Sequence, residues 1–269
     1  MESILEMFSY TFMVRAFLVG IFLAISASLV GVSLVLRRNS MIGDGLSHVS
    51  FGCFAIATVL GLAPLSFALP LVVLVSFFIL RLNENSKIHG DSAIALISAS
   101  SLALGTFIIS IVKGVNVDIN AYLFGSILSV SQADLVWSIV LSIFVVLVYL
   151  FSYSKILAIT FDENFASSIG IPTNFYNGLF SILCSLVVVI GMRLVGALLI
   201  SSFIIFPTLC SMQVFKSFKG VVVSSVLVSI FAFVFGLMVS YFFSTPTGAT
   251  IVLVHLGVFL LFKLWAHFR

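Results

Sequence analysis

The sequence predicts an all-α protein, a polytopic transmembrane helix bundle of eight or nine spans. Three observations predict it. Of the 269 residues, 62% are hydrophobic and only 8% are charged, for a mean hydropathy of +1.33. A soluble chain carries about 25% charged residues, so there is too little polar side chain here to face water all round. The apolar residues are also gathered into runs close to the roughly 20 residues that one helix needs to cross the hydrocarbon core. Finally, the few basic residues cluster at alternate ends of those runs, as they do in membrane proteins.

Taken in order, the runs are 11–36, 46–62, 65–82, 92–113, 133–153, 173–192, 194–214, 220–243 and 248–266. The first follows an acidic opening, MESILEMFSYTFMVR, and ends in Arg37-Arg38. A cleaved leader has a basic start, a shorter apolar core and a small-residue cleavage site, so this run is read as a permanent span. The second and seventh runs are the weakest, being short or interrupted by Gly and Pro. Nine crossings are favoured. With the N-terminus outside, nine of the twelve Lys and Arg fall on the inner side, namely Arg37, Arg38, Arg81, Lys87, Lys155, Lys216, Lys219, Lys263 and Arg269. Arg15, Lys113 and Arg193 remain outside, together with the acids Glu2, Glu6, Asp118 and Asp134. The positive-inside rule therefore gives N-out, C-in.

The longest polar inner stretch, SKILAITFDENFASSIGIPTN, joins the fifth and sixth runs. Within it FDENFASSIG suits a short helix. Asp162 and Glu163 favour its first turn, Gly170 its stop, and Pro172 the opening of the next element. Such a helix is either a locally ordered loop or a knob on which a cytosolic partner docks. No domain boundary, low-complexity tail or internal repeat is visible, and 1–269 reads as one membrane domain.

An ionisable side chain inside a span costs about 2.5–3.5 kcal/mol on insertion scales, so each one asks for a reason. In MIGDGLSHVS, Asp44 and His48 stand four residues apart, on one face of a helix. Carboxylate and neutral imidazole are both ligands for zinc or manganese. The same pair also fits a helix start, with Asp44 capping backbone N–H groups and His48 bonded to a carbonyl. Two ligands are too few for a protein-only tetrahedral site, so the rest must come from elsewhere in the bundle or from water. Asp91, in HGDSAIAL, suits an N-cap or a further ligand, and His89 precedes it in inner-side water. His255, in IVLVHLGVF, lies deep in the last run, as a core histidine or a pathway residue. In RLVGALLISSFIIFPTLC, Gly196 and Pro207 flank an apolar run, and Ser201-Ser202 are placed to satisfy backbone groups freed nearby. These mark either ordinary helix ends or the wall of a pathway. Arg193 reaches the outer headgroups and His267 is a terminal interfacial residue. Pro246 suits the first turn of the last span.

Several classes are excluded by what is missing. Basic runs interleaved with aromatics are absent, so nucleic acid is not a partner. Cys53, Cys184 and Cys210 lie singly in apolar stretches and read as small buried hydrophobes rather than a disulfide or thiolate site. A GxxxxGK[ST] phosphate loop is lacking, and so are GxSxG and HExxH.

In order along the chain, VLRRNSMIGDGLSHVSFG, DSAIALISASSLALG, NAYLFGSILSVSQADL, FDENFASSIGIP, LVGALLISSFIIFPT and YFFSTPTGATIVLV resemble the permease subunits of zinc and manganese ABC importers, the ZnuB/MntB-type family. The resemblance runs from about residue 10 to 265. It implies a homodimer in the bacterial membrane, paired with cytosolic ABC ATPase subunits and fed by an extracytoplasmic metal-binding protein. No cofactor is held permanently; Zn2+ or Mn2+ is cargo, iron stays open, and ATP is used by the partner subunit. The chain itself is thus expected not to be an enzyme. Asp44 and His48 match the family's GDxxSH positions, proposed as a transient metal-coordinating pair. Asp162, Glu163, Phe165, Ala166 and Gly170 fall in a stretch that resembles its ATPase-coupling helix. Asp91, Ser201, Pro207 and His255 are candidate pathway residues. Two departures are Ser126, where many relatives carry an acid, and Thr208, where Ala is common. The rival readings are an ATP-independent carrier driven by an ion gradient and a membrane enzyme using Asp44 and His48 as an acid–base pair.

Overall fold

The computed structural model describes residues 2–85, 90–112, 125 and 132–268. Lys87, His89, Lys113, Asp118, Ser126 and Arg269 lie outside them. The described residues form twelve helices in order: α1 Glu2–Ser9, α2 Thr11–Leu36, α3 Met41–Val59, α4 Pro64–Asn85, α5 Gly90–Ile111, α6 Gln132–Phe151, α7 Tyr153–Phe161, α8 Glu163–Ser168, α9 Thr173–Val195, α10 Ala197–Val214, α11 Phe218–Phe243 and α12 Thr247–His267. Among the described residues there is no strand.

Nine of these helices correspond to the nine apolar runs. Seven are long and apolar enough to cross a membrane, while the apolar parts of α4 (Pro64–Ile79) and α10 (Leu199–Val214) are shorter. The weak second run becomes α3, and it starts at Met41 rather than at 46. Gly43-Asp44-Gly45 interrupts the apolar run, but the backbone takes this segment into the helix. Two short helices, α1 and α7, flank α2 and α6 where no element was expected. The helix is interrupted at Ser152, between α6 and α7.

Burial sorts the helices. The best spanning stretches of α2, α3 and α9 are mostly inside the bundle, whereas those of α5, α6 and α12 are mostly outside it. Large apolar side chains such as Leu96, Phe107, Trp137 and Leu253 are exposed on the outer three. In water such a surface would aggregate; in lipid it is the expected exterior.

With little hydrophobic drive between helices in lipid, close contact and interhelical hydroxyl bonds hold the bundle. Ser33 Oγ lies 3.1 Å from Tyr149 Oη, joining α2 to α6, and Ser76 Oγ lies 2.5 Å from Ser181 Oγ, joining α4 to α9. Ser229 Oγ of α11 donates to the Ala24 carbonyl of α2 at 3.0 Å. Between α3 and α5 a glycine does the work. A Cβ on Gly52 would stand 2.8 Å from the Ser101 carbonyl oxygen, a backbone atom that cannot step aside.

Candidate metal pathway

Asp44 lies in the first turn of α3. Its carboxylate does not serve as the helix cap: Ser40 holds the N-cap position, and Asp44 Oδ1 accepts a 3.0 Å hydrogen bond from Ser201 Oγ instead. Ser201 belongs to α10, 157 residues away. Asp44 Oδ2 faces His48 Nε2 at 3.8 Å, one turn further along the same face. That gap is too long for a hydrogen bond. Two donors held about 2.1 Å from one ion at a tetrahedral angle stand about 3.4 Å apart, so the pair needs to close by only a few tenths of an ångström to share a cation.

The two side chains differ in exposure. The side chain of His48 is 15% exposed and that of Asp44 37%. His48 Nδ1 is buried and has no hydrogen-bond partner among the described residues, which costs about 1–3 kcal/mol for a buried polar atom left unpaired. No group of three or more His, Cys, Asp and Glu able to hold an ion occurs among the described residues. The arrangement brings together one carboxylate, one imidazole and one hydroxyl, donor types that could bind a divalent metal only with further ligands.

α10, which carries Ser201, has two irregular positions. It begins after Gly196, whose φ of 92° lies in the left-handed region that side-chain-bearing residues avoid. Pro207 lies inside α10, where it removes one N–H from the helical ladder. Its carbonyl accepts from Ser211 Oγ at 2.8 Å and from Ser225 Oγ of α11 at 3.3 Å. The carbonyl that Pro207 leaves without its helical N–H is that of Phe203, one turn back; the two hydroxyls instead tie the Pro207 carbonyl to its own helix and to α11. Ser202, paired with Ser201 in the sequence, turns back to the Leu199 carbonyl at 2.7 Å and leaves the site to its neighbour.

The other candidate pathway residues are not drawn to this point. His255 is fully buried, with Nδ1 3.0 Å from the Ile251 carbonyl of its own helix. Its ring packs against Phe203 and Phe206, with centroids 5.2 and 6.1 Å away. Its Nε2 is also without a hydrogen-bond partner among the described residues. Asp91 is exposed in the first turn of α5. Arg193, near the C-terminus of α9, pairs with Asp134 at the start of α6 through a 2.7 Å contact.

At the end of the bundle where α2 stops, α8 forms as its sequence predicts. Asp162 caps it, accepting from the Phe165 N–H at 2.9 Å. The helix runs from Glu163 to Ser168, Gly170 closes the turn at φ 83°, and Pro172 precedes α9. Ala166 is buried against Ile159 and Ile171, while Phe165 is 58% exposed and Ile169 56%. Phe165 and Ile169 thus stand exposed among the polar Asn164, Ser167 and Ser168, and Phe161 and Phe175 on the flanking segments are exposed as well.

One arrangement here was missed by sequence reasoning. Arg37, read only as an inside charge, reaches from the end of α2 to α9 and to the neighbourhood of α8. Its Nη1 donates to Asn177 Oδ1 at 2.9 Å, and Asn177 Nδ2 donates to Glu163 Oε1 at 2.6 Å. The one available signal was Asn177 itself, an amide that follows Asn174 at the start of a run otherwise suited to lipid.

Comparison with known proteins agrees with this architecture. Residues 9–266 match the ABC 3 transport family. A manganese import system permease protein, ScaB, of Streptococcus gordonii is 34% identical over 259 residues, covering 96% of this chain and 93% of that one. The high-affinity zinc uptake system membrane protein ZnuB of Buchnera aphidicola is 30% identical over 252 residues, covering 93% and 96%. Among solved structures, PsaBC from Streptococcus pneumoniae in complex with Fab superposes with a TM-score of 0.87 at 32% identity, covering 97% of this chain and 94% of that one. With nearly its whole length matched and its helices in the same arrangement as a solved relative, the chain belongs to the ABC 3 transport family, as a multi-span membrane permease.

Proposed function

We propose that this protein is the permease subunit of an ATP-driven importer of a divalent transition metal ion, manganese or zinc, and that Asp44 and His48 hold the ion during its passage. The observation that carries this reading is the geometry around Asp44: one oxygen fixed by Ser201, the other facing the His48 imidazole 3.8 Å away. A site this incomplete suits transport, because a full ligand cage would retain the ion too long. The names of the Streptococcus gordonii and Buchnera relatives, a manganese and a zinc system, support a metal as cargo. An enzyme using the same pair finds no support among these relatives.

The remaining parts follow the same reading. The chain sits N-out and C-in in the bacterial cytoplasmic membrane, which puts α8 on the cytosolic side. A cytosolic ABC ATPase docks on α8 through the exposed Phe165 and Ile169, with Ala166 keying the helix to the permease body. An extracytoplasmic binding protein delivers the ion at the opposite end, and two copies of the chain form the permease. Ala substitution at Asp44 or His48 is expected to abolish metal uptake in a deletion strain, while the protein still reaches the membrane and co-purifies with its ATPase. Wild-type uptake by both variants would remove the pair from the pathway.

A further inference from the structure

The Arg37 side chain sits where three separate pieces of the protein meet. Its Nη1 donates to Asn177 Oδ1 of α9 at 2.9 Å, and its Nε points at Thr160 Oγ1 of α7 at 3.4 Å. The guanidinium also lies over the Phe180 ring of α9, 5.1 Å from its centre. Asn177 passes the connection on, donating from Nδ2 to Glu163 Oε1 in the first turn of α8 at 2.6 Å. These two partners fix the amide's orientation, because Arg37 offers only donors and a Glu163 carboxylate only acceptors. Burial lowers the guanidinium's pKa from its ordinary value, and the nearby Glu163 charge works against that shift.

The backbone at Arg37 leads directly to the candidate ion site. The Arg37 N–H closes α2 on the Ser33 carbonyl at 3.1 Å. Arg38 then turns at φ 60°, with its N–H on the Val35 carbonyl at 3.0 Å. Asn39 bonds back to the Leu34 carbonyl at 2.9 Å and accepts from the Ile42 N–H at 3.1 Å. So a short, internally bonded turn joins Arg37 to α3, and Asp44 follows in that helix's first turn. Glu163 is thus joined to the base of the helix that carries Asp44 and His48 by two side-chain hydrogen bonds and the short covalent turn that follows Arg37.

We infer that Arg37 and Asn177 are positioning residues that link α8 to the metal site, through the relay Glu163–Asn177–Arg37 and the α2–α3 turn. This rests on the reading of α8 as the ATPase seat. Movement of α8 when the ATPase closes pulls or releases Arg37. The α2–α3 turn then carries that displacement to Asp44, whose hold on the ion depends on its register with Ser201 and His48. Arg37 suits the role because its planar, permanently charged fork engages Asn177 and Thr160 at once, which a lysine cannot do.

The test uses the full permease assembled with its ATPase subunit in proteoliposomes, with manganese as the probe ion. Asn177→Asp keeps an acceptor for Arg37 but sets like charge against Glu163, so it cuts the relay at a single joint. Mutations along a coupling route change coupling by about 2- to 30-fold, and a loss in that range is expected in ions carried per ATP hydrolysed, with ATPase binding retained. Adding Glu163→Gln supplies an amide donor to Asp at 177 and is expected to restore the ratio. A merely structural role for Asn177 predicts no such rescue. An unchanged ratio in Asn177→Asp, or a loss that Glu163→Gln fails to recover, would overturn the inference. Phe165→Asp serves as the control on the underlying reading. If it still binds the ATPase as wild type does, the docking assignment of α8 falls and the relay falls with it.

Discussion

Removing one hydroxyl, in Ser201→Ala, should weaken metal binding without touching either proposed ligand. Ser201 Oγ donates to Asp44 Oδ1 at 3.0 Å, a hydrogen bond to a charged acceptor. Such bonds are worth about 1.5–3 kcal/mol net, which corresponds to about 10- to 150-fold in an equilibrium constant. Losing a partner that orients a metal-binding carboxylate independently costs about 10- to 100-fold in affinity. The Asp44 side chain is 37% exposed, and water will replace part of the lost bond, so the lower end of that range is expected. The loss should be about tenfold. The assay is equilibrium binding of manganese and of zinc to the purified chain in nanodiscs, with thermal stability measured in parallel. Affinity within about twofold of wild type, at unchanged stability, would refute the claim that Ser201 holds the carboxylate in its working orientation.

Two further perturbations probe the frame around the site. Asp162→Ala removes the cap bond to the Phe165 N–H, at a cost of about 1 kcal/mol. Faster amide exchange confined to 163–168 and weaker ATPase co-purification should follow, and unchanged exchange there would contradict the capping role. Gly52→Ala forces a methyl onto the Ser101 carbonyl oxygen, an overpacking that costs about 1–3 kcal/mol. The melting temperature in detergent should drop, and a variant as stable as wild type would show that α3 and α5 approach less closely than described.

The spans were legible because lipid imposes a simple length requirement, and nine of the observed helices lie on the nine apolar runs. The N-terminal boundary of α3 was not, because hydropathy registers Gly43-Asp44-Gly45 as a break while the backbone simply continues through it. The short α8 was legible in detail, since caps and stops are local chemistry: Asp162, Gly170 and Pro172 each act within a few residues of themselves. The Asp44 and His48 pair was visible as spacing. Ser201 was singled out for a neighbouring task, satisfying freed backbone groups, and its contact with Asp44 could not be read from spacing because it closes a loop of 157 residues. The Arg37–Asn177–Glu163 relay was hidden for the same reason. Each of its members has an adequate local explanation, and only the packing of α2, α7, α8 and α9 brings them together.

The central claim is that Asp44 and His48 bind the transported ion directly. Zinc-edge X-ray absorption on the loaded protein in nanodiscs tests it most directly, comparing wild type with His48→Ala and Asp44→Asn. The wild-type spectrum should show nitrogen and oxygen donors at about 2.0–2.2 Å with the scattering of an imidazole ring. That imidazole signature should vanish in His48→Ala, and zinc occupancy should fall in Asp44→Asn, which keeps the shape of the side chain and its acceptor toward Ser201. The same spectrum and occupancy in all three proteins would contradict the account.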